Sequence, residues 1–309
     1  MTLPALKKTF YSNGKLLITG EYTVLDGAKA LALPTKFGQS LEVEASVGNL
    51  IQWTSLDADG SVWLTAEVSL DAVTNNIPNG ISAEADTLIK ILHHAHTANP
   101  EVLLNARGFE VTTKLTFPRQ WGLGTSSTLI NNIAQWFCID AYKLLADSFG
   151  GSGYDIACAQ HDTPIIYSLD KGKPVESPVT FNPAFADKLW FVYLNQKQNS
   201  REAIAAYRER RNDIAPIISR IDTLTNDAVL ARDLSTFASA LEKHEALMAG
   251  IAGIAPIQEK LFPDFNGILK SLGAWGGDFI LAAAEDNPTA YFKEKGYKTV
   301  IAYRDMILG

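Results

Sequence analysis

Cysteine is nearly absent from this chain: Cys138 and Cys158 are the only two in 309 residues. A disulfide framework or a cysteine-built zinc centre is therefore not expected, and the apolar, helix-like surroundings of both thiols predict buried free cysteines. Histidine is scarce as well, five in all. His93, His94 and His96 crowd one predicted helix but lack the i, i+4 pairing of a zinc helix. No run is long and apolar enough to suggest a membrane span, and Met1–Phe10 lacks the apolar core of a signal peptide. Positive charge is not in excess either: 27 basic against 34 acidic residues leave a net charge of −7 and a pI near 5.3. The bulk electrostatic footprint of a nucleic-acid binder is missing. The expectation is a cytoplasmic enzyme or binding protein with no nucleic-acid or membrane partner.

What is present is core-forming sequence. Hydrophobic residues make up 47% and mean hydropathy is +0.01, which suits one compound domain or two packed ones. β-Branched and aromatic residues predict strands over Phe10–Ser12, Leu16–Leu25, Leu41–Ala45, Ile51–Ser55 and Val62–Val68, punctuated by Gly14, Asp26-Gly27 and a hairpin turn at Asp57–Gly60. Glu84–Ala98 has helical spacing, Gly108–Thr116 alternates as a strand, and helices are expected up to Phe137, over Ala141–Ala146 and over Tyr154–Gln160. After a strand at Pro164–Leu169, a second region opens near Lys188. It has a strand at Leu189–Leu194, helices over Arg201–Arg211, Asp213–Leu230 and Leu234–Met248, a glycine loop and strand at Gly273–Ala283, a helix at Pro288–Lys295 and a strand at Lys298–Tyr303. Strands and helices mix without βαβ alternation, so the fold class is α+β.

Three glycine-bearing segments carry chemistry. Trp121-Gly122-Leu123-Gly124-Thr125-Ser126-Ser127 runs straight into a helical pattern. A helix N-terminus offers unpaired N–H groups and partial positive charge, and glycines let an anion approach, so the segment is suited to holding phosphate, the alternative being a glycine turn with a Ser/Thr helix cap. It lacks the Gly-Lys-Ser/Thr ending of a Walker loop, so a lysine must come from elsewhere. Asn13-Gly14-Lys15 offers one at a strand entrance, and Glu21 is an acid in an apolar stretch that demands a partner. Gly151-Ser152-Gly153-Tyr154-Asp155 places a carboxylate after a flexible loop, where it could take a proton from an alcohol. A further loop, Gly273–Phe279, contains Gly276 and Gly277 and suggests close approach of a ligand or backbone.

Taken in order, these segments resemble the GHMP kinase superfamily (galactokinase, homoserine kinase, mevalonate kinase, phosphomevalonate kinase). The family's central motif, Pro-x-x-x-Gly-Leu-Gly-Ser-Ser-Ala, is matched by Pro118–Ser127; Asn13–Leu25 is similar to the first motif, with Asn13 where proline is usual. Gly273–Phe279 is similar to the third, with Trp275 where glycine is usual. Gly20-Glu21-Tyr22 and Gly276-Gly277-Asp278 look closer to phosphomevalonate kinases, and Gly153–Ala157 looks like the bacterial GYDIA-type subgroup. The resemblance implies a ribosomal-S5-like N-terminal domain over 1–180 and a ferredoxin-like C-terminal domain over 181–309, with ATP and Mg²⁺ as cofactors. Gly122, Leu123, Gly124, Thr125, Ser126 and Ser127 would bind the ATP phosphates, Ser126 would hold magnesium, and Asp155 would accept the alcohol proton. Lys15 would pair with Asp155, while Glu21, Tyr22, Gly153, Gly276 and Gly277 would line the substrate cleft. One departure matters: the magnesium-binding Glu that several members carry before the Asp motif has no counterpart in Lys143–Phe149, where Asp147 is the stand-in. A small-molecule kinase acting on phosphomevalonate or mevalonate is implied, a homodimer being the family's suggestion. The alternatives are a nucleotide-binding pseudokinase and a decarboxylase of the mevalonate-diphosphate type.

Overall fold

Period-two burial organises the first half of the chain. In a computed structural model that describes residues 7–196, 207–209, 214–273 and 278–309, the chain divides into two compact units. One holds 1–14, 37–119 and 123–160, the other 15–36, 120–122 and 161–309, in place of the single cut expected near residue 180. Strands β1 (Lys8–Leu17) and β2 (Ala30–Ala45) give residues to both.

In the first unit, β3 (Leu50–Leu56) and β4 (Val62–Ser69) form the hairpin expected around Asp57–Gly60. A short helix α1 (Leu70–Asn75), unanticipated, and helix α2 (Ala83–Ala98) follow. Strand β5 (Phe109–Leu115) then runs parallel to β3 and antiparallel to β2. Val43, Ile51, Trp53 and Val111 are buried while Glu42, Gln52 and Glu110 are not, the alternation of a sheet with one covered face. The cover is α2 with α3 (Thr125–Phe137) and α4 (Ala141–Ser148), whose Leu88, Ile133, Phe137 and Leu144 join the same core. Helix α5 (Tyr154–Gln160) completes the unit. Gly38 explains why β2 was legible only from Leu41: a Cβ there would lie 2.3 Å from the Ser12 carbonyl oxygen, so a residue that signals a break marks a close strand crossing instead.

The second unit begins with a correction. The strand expected over Leu16–Leu25 stops at Leu17, and Thr23–Asp26 is a single 3-10 turn entered through Tyr22 at φ 58°. Thr19 turns its hydroxyl inward to accept the Leu31 N–H at 3.0 Å, which takes that stretch out of any ladder. The start of β2 pairs with β6 (Ile165–Asp170), Ala30 opposite Tyr167. β6 in turn forms a hairpin with β7 (Lys173–Pro178) through Lys171 and Gly172, both at positive φ, a geometry suited to strand twist. A four-stranded antiparallel sheet follows, in spatial order β11-β8-β10-β9: β8 (Leu189–Tyr193), β9 (Ile268–Ser271), β10 (Phe279–Ala283) and β11 (Val300–Ala302). Between β8 and β9 lie α6 (Ala215–Leu230), α7 (Leu234–Ala252) and α8 (Ile257–Leu261). Helix α9 (Thr289–Glu294) joins β10 to β11, and α10 (Tyr303–Met306) follows. Of the helix expected over Arg201–Arg211, residues 207–209 are helical and the rest lies outside the described residues. Cys158 is buried as expected, but Cys138 is exposed: it ends α3 at φ 56°.

Candidate active site

Helix α3 opens on Gly124, at φ 100°, and the Gly124 carbonyl accepts the Thr128 N–H at 2.9 Å. The first-turn N–H groups of α3 have no intrahelical acceptor. Ser126 is exposed there and Thr125 half-buried. Leu123 and Ser127 are buried, the Ser127 hydroxyl donating back to the Gly124 carbonyl at 2.9 Å, so these two offer a ligand their backbone alone. Behind the helix start, a buried polar chain sets its position. Thr128 donates to Gln39 Oε1 at 2.8 Å and Asn132 to the Gln39 carbonyl at 2.9 Å. Ser12 donates to Asn132 at 2.7 Å and accepts from Asn131 at 2.8 Å.

A cavity of about 280 Å³ adjoins this helix start. Trp53, Trp63, Leu88, Ile91, Thr125 and Ser126 are among its lining residues, so an aromatic slot and the phosphate-type turn share two residues. Arg119 lies with its guanidinium 5.3 Å from the centre of the Trp63 ring and 4.0 Å from the Asp57 carboxylate. The two tryptophans escaped the sequence reading because each fits an ordinary strand. The available signal was Val62-Trp63-Leu64, an apolar run that breaks alternation.

In the same unit, Asp155 occupies the first turn of α5, half-buried, with Oδ1 accepting the Ile156 N–H at 3.2 Å. Gly153, just ahead, is buried at φ 88°. Asp147 is exposed on α4, and its charge acts on His94. Partial burial lowers the pKa of that histidine, and Asp147 opposes the shift.

The second unit holds the other candidates. Lys15 donates from Nζ to the Gly122 carbonyl at 2.9 Å. Gly122 has φ 67°, and a Cβ on it would fall 2.1 Å from Asp278 Oδ2. Tyr193 donates to the Gln120 carbonyl at 2.9 Å, and its pKa is raised by partial burial and by the charge of Asp278. Tyr22 is buried and stacks on Tyr207, ring centres 5.6 Å apart, and Tyr207 donates to Asp26 at 2.6 Å. Gly276 and Gly277 lie outside the described residues.

Glu21 found its partner, one that the sequence did not reveal. Its carboxylate is 1% exposed and bonded to Lys270 Nζ, which is 0% exposed and also 3.3 Å from Glu245. His244, equally buried, accepts the Gly20 N–H at 2.9 Å. Burial lifts the Glu21 pKa to about 7 against the pull of Lys270. Burial, reinforced by Lys270, holds that of His244 well below its ordinary value. Among the described residues, no group of three or more His, Cys, Asp or Glu could hold a metal, and no helix is long and apolar enough to cross a membrane.

No protein-family model and no curated protein matches the sequence. Solved structures do. The mevalonate kinase of Methanococcus jannaschii is 16% identical with a TM-score of 0.71, over 96% of each chain. The Streptococcus pneumoniae phosphomevalonate kinase, in complex with phosphomevalonate and AMPPNP, is 17% identical with a TM-score of 0.69, over 97% of this chain and 98% of that one. Lactococcus lactis galactokinase, complexed with galactose, is 14% identical with a TM-score of 0.67, over 98% and 94%. The mixed α+β fold of this chain is theirs.

Proposed function

We propose that this chain, which has the fold of the GHMP kinases, is an ATP-dependent small-molecule kinase. It transfers the γ-phosphate of ATP to an alcohol or a phosphate monoester, phosphomevalonate first and mevalonate second. The observation that carries this reading is the joining of a glycine-turned helix N-terminus to an aromatic cavity through Thr125 and Ser126. A nucleotide needs both: N–H groups and a helix dipole for its phosphates, and a flat apolar slot for its base. The printed names of the structural neighbours favour the mevalonate-type acceptors. We read the first unit as ribosomal-S5-like. In the second, the stretch from β8 to β11 runs in the order β-α-β-β-α-β with several helices in the first α position, and we read it as ferredoxin-like.

Phosphoryl transfer leaves the protein mainly positioning and charge stabilisation to supply. Asp155 accepts the proton of the attacking hydroxyl, the Lys15 ammonium offsets developing negative charge, and the Gly124–Ser127 backbone holds the phosphates. The exposed Ser126 hydroxyl suits a hard, oxygen-seeking cation; magnesium bound there would neutralise phosphate charge.

An ADP-release assay against phosphomevalonate, mevalonate, homoserine and galactose, with magnesium titrated, tests the reading. We expect turnover on a mevalonate-type acceptor. Asp155→Asn is expected to lose at least about 100-fold in kcat with ATP affinity little changed. ATP binding without turnover on any acceptor would make the chain a pseudokinase, and absence of ATP binding would reject both readings.

A further inference from the structure

We propose that Gln160 is a positioning residue for Asp155, holding the helix that carries the proton acceptor in register with the helix that opens on the phosphate-type turn. The inference rests on the kinase reading above and adds a residue to it. Gln160 closes α5, the helix whose first turn holds Asp155. Its Nε2 donates to Asn131 Oδ1, on α3, at 2.9 Å. From there the bonds continue in one direction. Asn131 Nδ2 donates to Ser12 Oγ at 2.8 Å, Ser12 Oγ to Asn132 Oδ1 at 2.7 Å, and Asn132 Nδ2 to the Gln39 carbonyl at 2.9 Å. Gln39 in turn accepts from Thr128, in the first turn of α3, and lines the aromatic cavity. All of these residues belong to the first unit, and Ser12, Gln39, Asn131 and Asn132 are each 2% exposed or less.

The polarity of the chain is fixed from its far end. A backbone carbonyl can only accept, so Asn132 must turn its amide nitrogen to Gln39 and its oxygen to Ser12. Ser12 then gives its single proton to Asn132 and has only lone pairs for Asn131. Asn131 must therefore donate to Ser12 and leave its own oxygen for position 160, which has to be a donor. Reversing the Asn131 amide would set two oxygens against the one Ser12 proton, in a buried site where an unmade bond is costly. This directional tie adds what apolar contact does not. Ile156, Ala157 and Cys158 are buried and hold the seven-residue α5 in the core, but apolar burial is non-directional and resists separation more than sliding or rotation. Because Asn131 belongs to the helix that starts at the turn, the bond refers Asp155 to that turn. A proton acceptor works only within hydrogen-bond reach of its donor.

The test measures kcat, its pH profile and KM for ATP in the ADP-release assay, on the acceptor that the wild type turns over. Gln160→Ala, Gln160→Glu and Gln160→Lys are compared, with thermal unfolding followed for each; Gln160 is exposed, so the variants are expected to fold. Lysine keeps a donor at the position, whereas glutamate, close in shape to glutamine, donates only when protonated. We expect kcat to fall about 10–100-fold in the alanine and glutamate variants, with KM for ATP changed less than about twofold. Gln160→Lys should recover most of the loss. The deficit of Gln160→Glu relative to the wild type should narrow as pH falls toward the carboxyl range, and that of Gln160→Ala should not. Wild-type kcat in all three variants overturns the role of Gln160 alone. A loss shared equally by Gln160→Lys, or one that tracks a lowered unfolding temperature, makes Gln160 merely structural and overturns it too. Failure of the wild type to turn over any acceptor overturns the kinase reading itself, and this inference with it.

Discussion

Glu21, Lys270, Glu245 and His244 are buried together, and the charge of Glu21 and of Lys270 is set by its neighbours. Lys270 is fully buried between two carboxylates, so Lys270→Met leaves Glu21 without its counter-ion. We expect that change to cost about 3–5 kcal/mol, read as a lowered urea midpoint at pH 8. Adding Glu21→Gln should recover part of the loss; an undiminished loss in the double variant would mean that the pair does not interact. The pH dependence has a definite sign. Glu21 titrates near 7 in the folded chain against 4.5 for an ordinary glutamate. The folded state therefore holds the proton more tightly, and the stability that Glu21 contributes is fully present below the unfolded pKa and lost as pH rises through about 7. The urea midpoint of the wild type should accordingly drop between pH 5.5 and 8.5 by more than that of Glu21→Gln, and parallel curves would refute the assignment. The need for a partner was legible, since an acid in an apolar stretch cannot stand alone. The partner was not, because 249 positions separate the two residues and local sequence carries no trace of a contact made only by folding. Gly122 is similar: its glycine read as room for phosphate, while the structure also fills that room with Asp278.

At the scale of elements, helix α3 was half legible. Its apolar residues Ile130, Ile133 and Phe137 gave helical spacing and do enter the core. Thr128, Asn131 and Asn132 would pass for a solvated face, yet each is buried and hydrogen-bonded. Polar residues on a buried face carry no periodic signal, because satisfaction by distant partners replaces apolarity. The strands that went unread have physical reasons as well. β9 is four residues long and ends in Lys270 and Ser271, whose polarity is neutralised by Glu21 and Glu245. β7 is largely exposed and so shows no burial pattern. Asn132 tests the view that polar anchoring positions the helix start. Asn132→Ala removes the Gln39 and Ser12 bonds from a buried site and should cost about 1–3 kcal/mol in urea unfolding. ATP affinity should fall with it, since the phosphate-type turn is carried by the same helix. A stable variant with lowered affinity would still support positioning, whereas no change in either quantity would reduce these bonds to incidental contacts.

The molecule as a whole was legible in outline, because three glycine segments in order, and the helix they open, identify an architecture without any long-range information. The reach of one segment was not. A boundary near 180 is what the family resemblance implies; compactness follows contacts, and the second contact unit reaches back for Lys15–Lys36. That segment fills specific vacancies: Lys29 donates its N–H to Asp222 at 2.7 Å, Thr225 donates to Thr19 at 2.9 Å, Asp26 accepts from Tyr207, and Glu21 neutralises Lys270. A fragment of residues 181–309 would therefore keep the four-stranded sheet's sequence but leave Lys270 with Glu245 and without Glu21, take Thr19 from the buried Thr225, and uncover the face of α6 and α7 that packs on Tyr22 and Ala28. Losing apolar cover and buried hydrogen-bond partners together costs more than a small unit has to spare. We expect this fragment alone to unfold without cooperativity and to have weak near-ultraviolet circular dichroism, and co-expression with residues 1–180 to restore both signals. A cooperative urea transition in the isolated fragment would contradict the division and show that the returning segment is dispensable to the fold it joins.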